Sequence, residues 1–340
     1  MGFMWEDVCL DIIGNGREYM NKVIEEFDEV RKDDKISVVI CTHTFDRYSD
    51  TMDVIKSLND QTYPNKEIIL IIDRNKGLYD KFRNDIKPYK DIKLGLSTLH
   101  GLSNARNKGV ELSSGDIIAF IDDDSIADKN WIANLVKNYI DPSIIGVGGK
   151  MKPLWIDDIA HWIPEEFYWA IGCSYMSQRE DKHCIRSNFG SNMSFRKDVF
   201  EKVGKFDDKF GLVDDLMRTG EETELSIRAT NIIKNSKIIY DPDAIVYHKI
   251  FDFRKSLSYL SKRCYNYGYA MGGINNKVGS NGDVENNFMS YLIHRSYIDR
   301  IKGIVKMKNI IINVSQVCVI TLFTICVGIG YLNKKYIMHF

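Results

Sequence analysis

The chain has 340 residues, enough to bury a large core as one domain or as a domain with an appendage. With 46 Lys/Arg against 47 Asp/Glu, its formal net charge of -1 excludes a global electrostatic pull toward nucleic acid, and no nucleic-acid partner is expected. The cysteines, Cys9, Cys41, Cys173, Cys184, Cys264, Cys318 and Cys326, include no CxxC pair, so neither a disulfide framework nor a zinc knuckle is indicated and a reducing compartment fits.

Met1 to Leu10 lacks the basic start and apolar stretch of a signal peptide, and Glu6 stands where an acylation signal wants Ser or Thr. Residues 1–35 read as a leading segment whose helix, Arg17 to Lys32, spaces Tyr19, Val23, Phe27 and Val30 on one face. Strands are predicted at Ile36 to Cys41, Glu67 to Ile72 and Ile92 to Leu96, with helices at Thr51 to Leu58 and Ser103 to Leu112 between and after them. This alternation predicts an α/β fold around a mostly parallel central sheet. The next strand, Ile117 to Ile121, runs straight into Asp122, Asp123 and Asp124. Three adjacent carboxylates repel and bury badly, so they either sit in solvent, capping the helix that starts near Asn130, or share a cation such as Mg²⁺ or Mn²⁺. A helix at Trp131 to Tyr139 and a strand at Ile144 to Lys150 follow.

Trp155, Trp162, Pro164, Phe167, Tyr168 and Trp169 crowd together without periodicity, as core packing or as a platform for an apolar or sugar-bearing acceptor. From Lys249 to Lys308 the chain carries eleven Lys/Arg against four acids, interleaved with tyrosines, a composition suited to an anionic membrane surface. Ile310 to Leu332 is 23 residues without a charge, about 34 Å as a helix against about 30 Å of hydrocarbon. It reads as a single-pass C-terminal anchor in the cell membrane, with an in-plane or core helix as the alternative. Arg300, Lys302, Lys306 and Lys308 before it and only Lys334 and Lys335 close behind it leave residues 1–308 cytoplasmic. The Asn313-Val314-Ser315 sequon would then lie unused in lipid.

Taken in order, several short motifs resemble the nucleotide-sugar half of the family 2 glycosyltransferases. They are Val38-Val39-Ile40-Cys41-Thr42, Gln61-Thr62-Tyr63-Pro64, Ile71-Ile72-Asp73, the stretch Gly101 to Gly109, and Phe120-Ile121-Asp122-Asp123-Asp124. Gly190-Ser191-Asn192-Met193-Ser194-Phe195-Arg196, Val203-Gly204-Lys205-Phe206-Asp207 and Gly220-Glu221-Glu222-Thr223-Glu224-Leu225 continue the series. The resemblance covers about residues 36–250 and implies a GT-A domain, with a nucleotide-binding half at 36–125 and an acceptor half at 126–250. Residues 251–308 would be a basic, helical, membrane-proximal region and 309–332 the transmembrane helix.

The family implies a hexosyltransferase that uses a nucleotide-activated sugar, here a UDP-sugar by family preference, and inverts the anomeric carbon. Asp124 should bind the metal, Mn²⁺ or Mg²⁺, and Asp122 or Asp123 should face the ribose or share the ion. His248, after the strand Ala244 to Tyr247, completes the metal site in many relatives. Thr42 and Asp73 should line the nucleotide pocket, and Arg106 either contacts the donor or braces Asp73 or Asp122. Asn192 contacts the donor sugar or orders its loop. Glu222 is the expected base that takes the acceptor proton, with Glu221 supporting its geometry. Here the chain has Glu where the family commonly has Asp.

The basic segment and apolar helix beside such a site suggest a lipid-linked glycan acceptor. Two alternatives stand next to this reading: a polyprenyl or dolichyl phosphate glycosyl synthase, in which a lipid phosphate attacks, and a non-catalytic, membrane-tethered sugar-nucleotide binding module.

Overall fold

The computed structural model describes residues 34–175, 181–210, 219–279 and 283–337. The helix expected at 17–32 lies outside the described residues. The first apolar runs form strands β1 (Ile36–Thr42), β2 (Lys66–Asp73), β3 (Ile92–Ser97) and β4 (Ile117–Asp122), alternating with helices α1 (Tyr48–Asn59), α2 (Lys76–Asp85) and α3 (Leu102–Leu112). The four strands pair in parallel in the order β3-β2-β1-β4. Helices cover both faces, which is why these strands are continuous Ile, Val and Leu rather than an alternation of apolar and polar residues.

Beyond β4 the sheet becomes mixed. Strand β5 (Ser125–Ala127) follows a turn, helix α4 (Trp131–Val136) leads into β6 (Ile144–Trp155), and β7 (His183–Cys184), β8 (Met193–Arg196) and β9 (Lys237–Ile250) complete the sheet. β8 is antiparallel to both β4 and β6, β6 is parallel to β9, and β5 and β7 are antiparallel to β9. The sheet is therefore mixed, parallel through its first four strands and again between β6 and β9, and antiparallel where β5, β7 and β8 join. Parallel pairing requires a long crossover, and β5, β7 and β8 arrive through turns and loops instead.

One consequence of this topology builds the site. Only Asp123 and Asp124 separate β4 from β5, yet β5 lies at the far end of the strand order, on β9. The sheet therefore curls until β9 returns to the C-terminal edge of β4.

Among the described residues four apolar clusters hold this arrangement, the smallest joining Ile227 to Ala270, Met271 and Ile274. On one face Val54, Leu58, Phe82, Trp131 and Leu135 pack under α1, α2 and α4. On the other, Phe120, Phe195, Phe200 and Leu225 pack beneath α3, α5 (Lys197–Val203) and α6 (Glu221–Ile232). The third joins Phe167, Ala170 and Ile171 to α7 (Leu257–Val278) and α10 (Ile310–Leu332) through Leu260, Cys264, Val319, Ile320 and Phe323. Between these two helices, α8 (Asp283–Tyr291) continues through a π-helical turn into α9 (Tyr297–Val305). The aromatic crowd at 155–169 belongs to this third core, with the Phe167 and Phe323 rings 5.3 Å apart.

Helix α10, long and apolar enough to cross a membrane, is docked on the rest of the molecule along one face. Its backbone touches that of α7: a Cβ at Gly268 would come within 2.0 Å of the Val327 carbonyl oxygen, and one at Gly330 within 2.0 Å of that of Tyr265. Gln316 Nε2 also donates to the His161 carbonyl at 2.7 Å. Ile311, Ile325 and Ile329 point outward. Part of the basic stretch forms ion pairs within the protein. Lys249 donates to Asp50 and Asp53, Lys277 to Glu224, and Arg300 to Glu166, each at 2.7 to 2.9 Å, and Glu224 and Glu166 are carboxylates that the fold buries and these cations neutralise. Lys262, Lys277, Arg295, Lys302, Lys306 and Lys308 are exposed.

Candidate active site

The carboxylate triplet divides among three environments. Asp122 ends β4, Asp123 and Asp124 make the turn, and Ser125 of β5 pairs with His248 of β9. That register, supported by the Lys249 backbone N–H donating to the Asp124 carbonyl at 2.9 Å, brings His248 Nε2 to 3.2 Å from Asp124 Oδ1. Asp122, Asp124 and His248 each direct a ligand atom into one space, all within 4.8 Å of one another. Two carboxylates and an imidazole are a donor set suited to Mn²⁺, and less to Mg²⁺, which prefers oxygen.

Arginines crowd the same carboxylate. Arg254 Nη2 donates to Asp124 Oδ2 at 2.7 Å, its Nη1 lies 3.3 Å from His248 Nε2, and Arg47 Nη2 is 3.6 Å from Asp124 Oδ2. Although burial opposes its charge, these cations hold the Asp124 carboxyl far below the usual range. Asp123, beside it, is pushed up to about 8 by burial and by the Asp124 charge.

Arg106 is buried on α3 and acts as a brace. Its Nη1 donates to Glu221 Oε1 at 2.6 Å, and its Nη2 donates to Asp122 Oδ1 at 3.2 Å and to the Gly190 carbonyl at 3.1 Å. Glu221 and Glu222 open α6, where the helix N-terminus favours negative charge. With Glu221 tied to Arg106, Glu222 is left facing the cavity, and burial followed by the Glu221 charge raises its carboxyl to about 8.

Thr42 and Asp73 stand at the C-terminal ends of β1 and β2, where open α/β sheets bind ligands. Asp73 Oδ2 accepts from the Gly101 N–H at 3.0 Å and lies 3.3 Å from His100 Nδ1, while its Oδ1 is buried with no hydrogen-bond partner among the described residues. A recess of about 530 Å³ opens here, lined by Asp73, His43, Arg74 and His100. Asn192 is fully buried: its Oδ1 accepts from Trp131 Nε1, and its Nδ2 donates to the Lys150 and Ala244 carbonyls, so its amide is spent inside the protein.

A larger cavity of about 1140 Å³ adjoins these groups. Asp122, His248, Glu221 and Glu222 lie on its wall together with Thr324, Val327 and Gly328 of α10. Two lining residues carried no local signal in the sequence. Arg254 was hidden within a basic stretch, and Asn188, buried with neither amide atom hydrogen-bonded among the described residues, lies in a loop without a motif.

The sequence model described as Glycosyl transferase family 2 matches residues 37–204. A glucosyl-dolichyl phosphate glucuronosyltransferase of Haloferax volcanii is 33% identical over 299 residues, covering 87% of this chain and 95% of the relative. Among solved structures, the mannosyltransferase PcManGT of Pyrobaculum calidifontis, in complex with GDP-Man and Mn²⁺, superposes with a TM-score of 0.58 at 13% identity over 90% of this chain and 88% of its own. GalNAc-T7, solved with UDP, GalNAc and Mn²⁺, superposes with a TM-score of 0.51 at 17% identity, over 78% of this chain and 57% of its own. With one relative similar along nearly the whole chain, and the family's pattern running from β1 through α5 across the strand ends that carry Asp73 and Asp122, the chain belongs to the family 2 glycosyltransferases.

Proposed function

We propose that this glycosyltransferase moves a sugar from a nucleoside diphosphate donor, a UDP-sugar, to a hydroxyl of a lipid-linked glycan with inversion at the anomeric carbon. The observation that carries this reading is one cavity whose wall includes Asp122 and His248 of the carboxylate and imidazole cluster, the raised Glu222 carboxyl and the apolar helix α10. The name of the Haloferax relative, which pairs a glucuronosyl donor with a glucosyl-dolichyl phosphate acceptor, supports the same class of substrates.

A divalent cation, Mn²⁺ or Mg²⁺, held by Asp122, Asp124 and His248 would supply Lewis-acid stabilisation of the charge on the departing diphosphate. The remaining chemistry belongs to side chains. Glu222 takes the proton from the acceptor hydroxyl, and its raised pKa suits a group that must hold and release a proton near neutrality. Arg106 fixes Glu221 and Asp122 relative to one another, so that the two halves of the site keep their spacing. Thr42 and Asp73 receive the nucleoside, with Asp73 Oδ1, which lacks a hydrogen bond among the described residues, as an acceptor for a base or ribose donor. Asn192 orders the loop that carries Asn188, and Asn188 offers its unspent amide to the sugar. Asp123 stands beside the cluster next to Thr42.

The enzyme associates with a membrane through the outward face of α10, with the catalytic body on the cytoplasmic side. The test is transfer from a panel of UDP-sugars, including UDP-glucuronate, to glucosyl polyprenyl phosphate, with and without Mn²⁺, followed by determination of the anomeric configuration of the product. Retention, or equal transfer to a water-soluble glycan, would sink the proposal.

A further inference from the structure

Helix α7 turns Tyr259, Arg263, Tyr267, Met271 and Asn275 into the large cavity at four-residue intervals, the spacing that keeps side chains on one helix face. The arginines on the cavity wall are Arg106, Arg186, Arg254 and Arg263. Three are spent on carboxylates: Arg106 on Glu221 and Asp122, Arg254 on Asp124, and Arg186 on both oxygens of Glu285 at 2.7 and 2.9 Å. Arg263 is half-buried and has no hydrogen-bond or ion-pair partner among the described residues. A half-buried guanidinium on a cavity wall, held by no carboxylate, is open to an anion that arrives from outside.

Where Arg263 stands narrows the anion. It shares one chamber with Glu222, whose carboxyl feels its charge, and with Val327 and Gly328 of α10. A few residues further along α7, Gly268 packs directly on the Val327 backbone, so the wall beyond the arginine is the apolar helix. A ligand filling this chamber meets a proton acceptor, a cation and a hydrocarbon surface. Resting on the acceptor assigned above, we infer that Arg263 binds the phosphate of the lipid-linked acceptor, so that the sugar lies at Glu222 and the hydrocarbon follows α10. A guanidinium fork matches two phosphate oxygens, whereas an ammonium meets them as a point charge.

The test uses the full chain in detergent, with farnesyl phosphate and farnesol as probes, inorganic phosphate as competitor, and quenching of intrinsic fluorescence as readout, since Trp169 lines the cavity. The wild type should prefer farnesyl phosphate by about tenfold to a hundredfold, the worth of a charge-assisted hydrogen bond. Arg263→Ala should erase that preference and leave farnesol and UDP affinities unchanged, with Arg263→Lys in between. No preference in the wild type, equal loss of both probes in Arg263→Ala, or loss of UDP-sugar affinity would overturn the assignment, the last giving Arg263 to the donor. Displacement of farnesyl phosphate by equimolar inorganic phosphate would make this a site for a free anion and would overturn the lipid assignment too. Transfer assays separate the two readings. An unchanged KM for glucosyl polyprenyl phosphate in Arg263→Ala removes Arg263 and leaves the acceptor. Binding of farnesyl phosphate that depends on Arg263, without transfer to any lipid-linked sugar, removes the acceptor reading and leaves an anion site.

Discussion

Arg106 Nη1 meets Glu221 Oε1 at 2.6 Å, and this contact makes the adjacent glutamates at the start of α6 unequal. One carboxylate is neutralised by a buried guanidinium that also holds Asp122, and the other faces the cavity. Arg106→Ala would leave Glu221 and Asp122 uncompensated, at a cost of about 3–5 kcal/mol. Arg106→Lys keeps the charge but cannot span both carboxylates. A large drop in melting temperature is expected for the first variant. A smaller drop with a fall in kcat is expected for the second, checked by calorimetry and steady-state transfer.

Glu222→Gln removes the proposed proton acceptor without changing side-chain size. Transfer to a sugar hydroxyl should fall by about 10²- to 10⁴-fold, with UDP affinity unchanged. An enzyme in which lipid phosphate attacks would hardly slow. In the wild type, kcat/KM should rise with pH through about 8 as the carboxyl ionises.

The same group makes a stability prediction of definite sign. Its folded pKa lies above the ordinary value near 4.3, so the folded state binds the extra proton between the two and loses stability as pH rises across that window. Glu222→Gln escapes this loss. The variant should therefore melt above the wild type at pH 9 and close to it at pH 5, while being catalytically poor.

Mn²⁺ should raise the melting temperature of the wild type, and EDTA should reverse this together with activity. Asp124→Ala should abolish the Mn²⁺-dependent shift, because it removes the carboxylate facing His248. It also deprives Arg254 and Arg47 of their partner, so the variant should be less stable even without metal. Thermal shift with and without Mn²⁺ separates the two effects.

Ile325 and Ile329 are 52% and 50% exposed on the outer face of α10. Burying two such side chains in lipid is worth about 3–6 kcal/mol at full burial. Ile325→Glu with Ile329→Glu should therefore lower vesicle flotation at least tenfold while leaving the melting temperature in detergent nearly unchanged. A collapse of folding instead would mean that this face is covered by protein.

What the sequence determined by itself is what short-range patterns carry. Apolar runs marked β1 to β4, an Asp closed β2 and β4, and the ordered motifs identified the family, because strand burial and strand-end chemistry are written in neighbouring residues. The tertiary structure alone decided how those groups are shared. Arg106 meets Glu221 across 115 residues and Arg254 meets Asp124 across 130, distances at which no periodicity announces a partner. The pairing of Asp124 with His248 follows from a sheet that curls until β5 reaches β9, and the place of Arg263 in one chamber with Glu222 follows from α7 packing on α6. Charge in a sequence is a count, and only the fold determines which charges neutralise one another and which is left for a ligand.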